Sequence, residues 1–388
     1  MKLIIIGNGI AGLTLARLCS RYDSSISTTI ISKEAYYTYS RPLLPKIISK
    51  SITEEKIWLD SSERSLAANI QTLLDCTVNK VDTKNKTIEL ICHDTPAVLS
   101  YDILVFATGS IPSELPFPVR KTPGIFTIRT LKDVYRLQER LKIYNESALI
   151  IGGGLLGIEI AENTLKAGVK KVQILEYAPR LLPRQLDEKG SMVLQQHLES
   201  EGLIVKTGIH VTGIDSVQSI GVHPVSDKIQ VHTETQPFMG QSVILAAGVT
   251  PNVTLAKESG LEVQRGIVVD NTMQTSVADI YALGDCAEFE NKTWGIIPAA
   301  LEQCSIAASH ICNKDKQYYK GTVPSTRLES GNLVILSKGK IDLSPEEIKS
   351  GQYREEVELS KENGLLYHKK ILEGDSLLGE ISIKKIVS

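Results

Sequence analysis

The sequence predicts an α/β protein with two Rossmann-like domains, one inserted into the other, and a small C-terminal α+β domain. The main observation is that a strand, glycine turn, helix and strand open the chain, and the same unit returns near residue 150. The length of 388 residues suits two to three domains of ordinary size. An apolar fraction of 42% and a charged fraction of 23% are typical of a globular protein.

The first unit begins with Leu3–Ile6, a continuous apolar run of the kind that forms a buried parallel strand. The turn GNGIAG follows. Its glycines have the spacing of a dinucleotide-binding turn and are Gly7, Gly9 and Gly12. Such a turn lets a pyrophosphate approach the backbone at a helix N-terminus. Glu34 lies 22 residues beyond the last glycine and is predicted to bind ribose hydroxyls, although Ser32 could occupy the strand end instead.

The second unit begins with the predicted strand Ala148–Ile151 and continues with GGGLLG. Its glycines repeat the same spacing and are Gly152, Gly154 and Gly157. Glu176 ends the next predicted strand, 19 residues after the third glycine, where a ribose-binding acid is expected. Two such turns in one chain indicate two nucleotides, one of which passes electrons to the other.

Charge and cysteine content exclude several other classes of protein. A net charge of −2 and a pI near 6.4 argue against nucleic-acid binding. No signal peptide or membrane-spanning run is predicted, so we expect a cytoplasmic protein with no membrane partner. Histidine and cysteine spacings predict no metal site. The six cysteines are expected to be reduced and structural, and they are Cys19, Cys76, Cys92, Cys286, Cys304 and Cys312.

Seven motifs, taken in order, resemble those of one family. They are GNGIAG, YSRPLLPK (39–46), ATG (107–109), GGGLLGIE (152–159), LEYAPRLLPRQLD (175–187), AAGVTPN (246–252) and IYALGDCAE (280–288). With them the chain resembles the pyridine nucleotide–disulfide oxidoreductase superfamily, in its rubredoxin reductase and nitrite-reductase-flavoprotein-like branch. The resemblance implies FAD and NAD(P)H as cofactors.

The family's flavin motifs place the domain boundaries. One motif, ATG, follows the strand Ile103–Phe106, and another ends at Gly284 and Asp285, after the second glycine turn. The FAD-binding domain is therefore expected to be discontinuous, at 1–112 and 242–314. The NAD(H)-binding domain would span 113–241, and a C-terminal interface domain 315–388.

The resemblance also implies roles for individual residues. Those expected to contact FAD, besides the first glycine turn and Glu34, are Arg41, Pro42, Lys46, Ala107, Thr108, Gly109, Gly284, Asp285 and Pro298. Arg41 either contacts FAD or caps its own segment. Lys46, from the FAD domain, is expected to pair with Glu159, from the inserted domain, beside the reactive flavin nitrogen. This pair is the catalytic prediction, because a cation there favours the reduced, anionic flavin.

Glu176 predicts a preference for NADH over NADPH, because a carboxylate at this position repels a 2′-phosphate. Arg180 and Arg184 lie nearby. They could weaken that preference, but pairing with acids such as Asp187, or solvation, is the favoured interpretation.

The cysteines that relay electrons in other branches of the superfamily are missing, since RPLLPK occupies 41–46 and no CxxC occurs. Electrons are therefore expected to leave the flavin directly for a one-electron acceptor, such as rubredoxin or a similar small iron protein. Two alternatives stay open: an NADH oxidase or flavin module of a nitrite reductase system, and an NAD(H)-sensing flavoprotein without enzymatic activity. We expect a monomer or a homodimer.

Overall fold

The computed structural model describes residues 1–59, 67–120, 122–216, 228–359 and 364–386. The α-helices are α1 (Ile10–Tyr22), α2 (Leu44–Ile48), α3 (Leu131–Ile143), α4 (Leu155–Lys166), α5 (Glu188–Ser200), α6 (Thr254–Glu258), α7 (Ile297–Ile311) and α8 (Pro345–Ser350). Among the helices in these ranges, none combines the length and the apolar character needed to cross a bilayer.

The strands begin with β1 (Lys2–Ile6), β2 (Ser27–Ile31), β3 (Ile70–Leu73), β4 (Cys76–Asp82), β5 (Thr87–Cys92), β6 (Thr95–Ser100), β7 (Ile103–Phe106), β8 (Ser110–Pro112), β9 (Ile125–Thr127), β10 (Ser147–Ile151), β11 (Lys171–Leu175) and β12 (Ile204–Lys206). They continue with β13 (Val211–Ser216), β14 (Ile229–Thr233), β15 (Phe238–Gly240), β16 (Ser242–Leu245), β17 (Val249–Pro251), β18 (Ile267–Val268), β19 (Ile280–Ala282), β20 (Ala287–Glu288), β21 (Ser325–Ser330), β22 (Leu333–Gly339), β23 (Tyr353–Glu358), β24 (Leu365–Glu373) and β25 (Ser376–Lys385).

The chain divides into two compact units, each assembled from three separate segments. Unit 1 consists of Met1–Ser40, Glu54–Ile111 and Val249–Thr322. Unit 2 consists of Arg41–Thr53, Pro112–Gly248 and Val323–Ser388.

Unit 1 is built on a five-stranded parallel sheet in the order β19-β7-β1-β2-β3. Its central strands are apolar because both faces are covered, and β7 is buried along its whole length. Helix α1 connects β1 to β2, as the first glycine motif predicts. A three-stranded antiparallel sheet, β4-β5-β6, belongs to the same unit.

Unit 2 repeats this plan with a parallel sheet in the order β12-β11-β10-β16-β9. Helix α4 connects β10 to β11, just as α1 connects β1 to β2. The C-terminal segment adds a five-stranded antiparallel sheet, β21-β22-β25-β24-β23, and the short helix α8. The predicted fold class, two Rossmann-like domains and a small α+β domain, is confirmed.

The units begin and end at different residues from the predicted domains. Ser242–Leu245 is a parallel strand beside Ala148–Ile151, so this stretch belongs to unit 2, and unit 1 resumes at Val249. Residues 315–322 lie in unit 1, and Val323–Ser388 groups with unit 2. The segment Arg41–Thr53 also lies in unit 2, because α2 packs on α3 and α4.

The expectation that all six cysteines are reduced is wrong. Cys76 and Cys92 form a disulfide. They lie directly opposite each other on β4 and β5, with Cα atoms 4.2 Å apart, which brings the two sulfur atoms within bonding reach. The other four are free thiols; Cys312 is half-buried, and the buried ones are Cys19, Cys286 and Cys304.

Candidate functional site

The first glycine turn connects the end of β1 to the start of α1. Gly9 is the N-cap of α1 and provides no side-chain cap, so the first amides of the helix remain available to an anion. A Cβ at Gly12 would lie 2.1 Å from the carbonyl oxygen of Gly7, so only glycine allows the helix to pack this close to the turn. A Cβ at Gly9 would meet nothing within 4 Å, which leaves the open cradle that a pyrophosphate requires.

The predicted flavin motifs of unit 1 follow the carboxyl ends of β7 and β19, the two strands on one side of β1 in the sheet. Ala107 follows β7, and its amide donates a hydrogen bond to the carbonyl oxygen of Ile6 at 2.9 Å. Gly284 and Asp285 follow β19, and a Cβ at Gly284 would lie 3.3 Å from that of Ala11 on α1. In open parallel sheets, ligands bind at this edge, where the strand order reverses.

Hydrogen bonds also hold the polar side chains near these flavin motifs in unit 1. The Ser110 hydroxyl donates to Asp285 Oδ2 at 2.7 Å, and the Thr108 hydroxyl donates to the carbonyl oxygen of Asn252 at 2.7 Å. Glu34 accepts a hydrogen bond from the Tyr39 hydroxyl at 2.5 Å. Ser32, not Glu34, directly follows β2 and is buried. The carboxylates of Glu34 and Asp285 are suitable acceptors for sugar hydroxyls.

Helix α7 also begins without a side-chain cap. It starts at Ile297, with Pro298 in its first turn, where the missing proline N–H costs no hydrogen bond. The amide of Gly284 donates to Gln303 Oε1 at 2.8 Å, which attaches the second turn of α7 to the loop after β19.

The second glycine turn reproduces the first in unit 2. Gly154 caps α4 without a side chain, and a Cβ at Gly154 would meet nothing within 4 Å. A Cβ at Gly157 would lie 2.0 Å from the carbonyl oxygen of Gly152. The amide of Ala246, after β16, donates to the carbonyl oxygen of Ile151 at 2.8 Å, matching the bond from Ala107 to Ile6.

Glu176 lies at the end of β11 and is held against the second turn. Its carboxylate accepts hydrogen bonds from the amides of Gly153 and Ala178, the latter at 2.7 Å. Two backbone donors fix the orientation of this carboxylate at the end of β11, so the position suits an acceptor for ribose hydroxyls. Tyr177, next along the chain, is exposed and stacks on His210 with ring centroids 4.4 Å apart.

The predicted FAD residues are divided between the two units, because Arg41, Pro42 and Lys46 belong to unit 2. Arg41 donates to the carbonyl oxygen of Arg129 at 2.6 Å. Lys46 therefore belongs to the same unit as Glu159. The sequence predicts instead that Lys46 belongs to the FAD-binding domain and Glu159 to the other domain.

Helix α2, which carries Lys46, is held by one hydrogen bond to α4 and one to α3. The Ser49 hydroxyl donates to Asn163 Oδ1 at 2.6 Å, and the Asn163 amide donates to the carbonyl oxygen of Glu159 at 2.8 Å. The Gln138 amide donates to the carbonyl oxygen of Ile47 at 2.7 Å. The backbone of α2 is therefore attached to both α3 and α4.

Lys46 and Glu159 line a cavity of about 260 Å³, together with Glu162, Lys166 and Glu329. Burial raises the pKa of Glu159 to about 7; the positive charge of Lys46 opposes this rise, and the negative charges of Glu162 and Glu329 add to it. The amine of Lys46 lies 4.0 Å from Glu329. The predicted pair thus shares a site with further carboxylates, and Glu159 exchanges its proton near neutral pH.

Glu162 is a buried residue of this cavity that the sequence analysis does not predict. It is buried one helical turn beyond Glu159, and the Ser330 hydroxyl donates to it at 2.9 Å. Burial raises the pKa of Glu162, while the hydrogen bond from Ser330 opposes the rise. Its spacing of three residues from Glu159 was a signal, since such residues share one face of a helix.

Glu159→Gln is expected to make the protein more stable at pH 8 than the wild type, by about 1–2 kcal/mol. The folded wild type holds the Glu159 proton up to about pH 7, whereas an unfolded chain releases it near the usual carboxyl pKa of 4.5. The folded state therefore binds more protons between these values, and its stability falls as the pH rises through this window. Glutamine removes that loss.

Urea unfolding of the flavin-loaded proteins at pH 5 and pH 8 measures this effect. Glu89→Gln is the control, because Glu89 is exposed and lies in unit 1, outside this cavity. Parallel stability curves for the wild type and Glu159→Gln across this range would contradict the prediction.

Two dinucleotide turns on two parallel sheets define the class of flavin- and pyridine nucleotide-dependent oxidoreductases. The chain belongs to the family described as pyridine nucleotide-disulphide oxidoreductase, whose model matches residues 1–308. This family depends on FAD and NAD(P)H.

Among its relatives, the chain is 33% identical over 384 residues to the nitrite reductase [NAD(P)H] of Bacillus subtilis, covering 98% of this chain and 45% of that protein. It is 31% identical over 343 residues to the NADH-rubredoxin oxidoreductase of Clostridium acetobutylicum, covering 88% and 82%. The crystal structure titled NADH:rubredoxin oxidoreductase from Clostridium acetobutylicum superposes with a TM-score of 0.77 at 28% identity, covering 99% and 91%. The chain thus spans less than half of the first relative.

Proposed function

We propose that the protein transfers electrons from NADH, through FAD, directly to a one-electron acceptor protein such as rubredoxin or a similar small iron protein. When bound, FAD accepts a hydride and releases electrons one at a time. Unit 1 would hold FAD on the turn after β1, and unit 2 would hold NADH on the turn after β10. The observation that carries the proposal is that no thiol stands where a disulfide relay would need one, since 41–46 reads RPLLPK.

The remaining cysteines are poorly suited to relay electrons. Cys286 follows Asp285, but it is buried and donates to the carbonyl oxygens of Phe106 and Leu283. Burial raises the pKa of Cys286, which disfavours the reactive thiolate. Cys76, which forms the disulfide with Cys92, donates its amide to the carbonyl oxygen of Ser32. The disulfide would therefore lie at the adenosine end of the FAD site, away from the flavin ring.

Lys46 and Glu159 are proposed as the catalytic pair. The cation of Lys46 would stabilise negative charge that develops on the reduced flavin. Glu159 would orient Lys46 and, with a pKa of about 7, could take up a proton as that charge appears. The contacts of Ser49 and Asn163 support this role, because they fix the helix that carries Lys46 to the helix that carries Glu159.

NADH is the proposed electron donor. Glu176 would bind the adenosine ribose and repel the 2′-phosphate of NADPH, and its two backbone hydrogen bonds hold its carboxylate at the second glycine turn. The name of the Clostridium relative, at 31% identity, is consistent with this preference.

Anaerobic stopped-flow measurements test the proposal. NADH should reduce the bound flavin rapidly, and the reduced protein should then reduce oxidised rubredoxin much faster than it reacts with oxygen. Cys76→Ser/Cys92→Ser is the control and should keep the full rate, because the disulfide is not on the electron path. Fast reaction with oxygen and none with rubredoxin would instead identify an oxidase. Slow flavin reduction with a lasting charge-transfer band would favour a sensor.

A second candidate is the flavin module of a nitrite reductase system. The observation that favours it is the match of 98% of this chain to 45% of a nitrite reductase at 33% identity. In that case nitrite chemistry would require a partner subunit or a further segment, and the reduced flavin should react poorly with rubredoxin and with oxygen alike.

A further inference from the structure

The loop that follows Glu176 in unit 2 is held by two hydrogen bonds, one to Glu176 itself and one to the second glycine turn. Ala178 donates its amide to the Glu176 carboxylate, and Leu182 donates its amide to the carbonyl oxygen of Gly153 at 3.2 Å. Arg180 lies between these two attachments. The next residue, Leu181, lies against Gly153, whose amide donates to the Glu176 carboxylate, so the backbone of Arg180 runs close to the proposed ribose site.

The Arg180 guanidinium is instead turned away and held by other partners. Its Nε donates to the carbonyl oxygen of Leu186 at 3.2 Å, and a terminal nitrogen contacts Asp342 Oδ2 at 3.2 Å. The sequence favours solvation or pairing with acids such as Asp187, and the structure shows a partner in the C-terminal segment, 162 residues away.

Asp342 is itself fixed, which makes it a more effective partner than an isolated surface acid. Its other oxygen contacts the amine of Lys369 at 3.1 Å, and the Lys369 side chain is only 5% exposed. The same amine contacts Glu355 at 3.0 Å and Asp187 at 3.3 Å. Burial alone would lower the pKa of Lys369, but its hydrogen bonds to Glu355 and Asp342 raise it, so the lysine is charged.

We propose that Asp342 is a specificity-determining residue, which holds Arg180 away from the 2′ position of the adenosine ribose and so disfavours NADPH. It acts through Arg180 and is a positioning residue rather than a catalytic one. Arginine is the side chain best suited to bind a phosphate, because its planar group donates two parallel hydrogen bonds. The proposal deepens and rests on the proposed NADH preference, since Glu176 alone would repel the phosphate only in part.

Asp342→Asn is the variant that tests this inference. It keeps the size of the side chain but loses the charge that holds Arg180, and Lys369 retains Glu355 and Asp187 as partners. The probes are adenosine 2′,5′-bisphosphate and AMP, which differ in the 2′-phosphate, and their Kd values are measured on the flavin-loaded protein by calorimetry. The affinity ratio should shift about three- to tenfold towards the bisphosphate.

Two double variants assign the effect to one arginine. In Arg180→Ala/Asp342→Asn the ratio should return to the wild-type value. In Arg184→Ala/Asp342→Asn it should keep the gain, because Arg184 is exposed and stands outside the proposed contact. An unchanged ratio in Asp342→Asn, or a gain that persists without Arg180, would overturn the proposal.

Failure of the proposed role of Asp342 can be distinguished from failure of the proposed NADH preference. If the wild type is reduced faster by NADPH than by NADH, the proposed donor is wrong, whatever the ratio does. If NADH is preferred and the ratio does not move, only the role of Asp342 fails. A general loss of folding would weaken both probes equally and leave the ratio unchanged, which also counts against the proposal.

Discussion

Gly12→Ala is expected to yield a protein that binds FAD about 10- to 100-fold more weakly, while its NADH site stays intact. The new Cβ would lie 2.1 Å from the Gly7 carbonyl oxygen, so the start of α1 must move and the cradle for the pyrophosphate opens. Gly157→Ala should do the opposite. It should purify yellow but bind NADH weakly, because its Cβ would lie 2.0 Å from the Gly152 carbonyl oxygen.

Flavin content after purification and NADH titration measure the two effects. Gly9→Ala and Gly154→Ala are the matched controls, since a Cβ at either position meets nothing of the chain within 4 Å. If a control variant binds its nucleotide more weakly, the added methyl group must contact the nucleotide, because it contacts no other part of the chain. If Gly12→Ala keeps FAD but loses NADH, the assignment of nucleotides to units is reversed.

Lys46→Met is expected to slow the reduction of bound flavin by NADH about 100-fold, the lower end of the range found when one preorganised donor is removed from an oxyanion hole. It should also change the pH dependence of the rate. The charge of Lys46 opposes the rise in the pKa of Glu159, so without it this carboxyl group holds its proton to a higher pH. If the ionisation of Glu159 affects the rate, the corresponding step in the plot of rate against pH should move towards alkaline pH.

Single-turnover reduction followed by flavin absorbance between pH 6 and pH 9 measures both changes. Lys166→Met is the matched control, because Lys166 is an exposed lysine that lines the same cavity. Equal effects of the two variants would mean that the cavity responds only to its total charge, and Lys46 would lose its assigned role.

The parts of the fold that could be predicted are those with a local signal. Each glycine turn stands between an apolar run and a helix, so both parallel sheets and their helices follow from neighbouring residues. The boundary at Val249 could not be found this way, and the sequence predicts residue 242 instead. Val243 pairs with Leu149, and a pairing across so many residues leaves no mark in the sequence around either of them.

The candidate site shows the same limit. Lys46 and Glu159 were predicted from motifs, but the unit to which Lys46 belongs depends on the packing of α2 against α4. The disulfide depends on the register of β4 and β5, which places Cys76 opposite Cys92. Asp342 could not be predicted as a site residue, because its partner Arg180 is distant in sequence and surface acids are common.

The division of each unit into three segments affects how the protein emerges during synthesis. The chain passes between the units five times. Strand β19 completes the sheet of unit 1 only after residue 280 has been made, so the amino-terminal half leaves an unpaired edge on β7 until then. Neither unit is complete before Thr322 has been made, whereas consecutive domains usually fold one after the other as each is finished. Nascent chains released before Thr322 should therefore be substrates for chaperones and proteases rather than stable fragments.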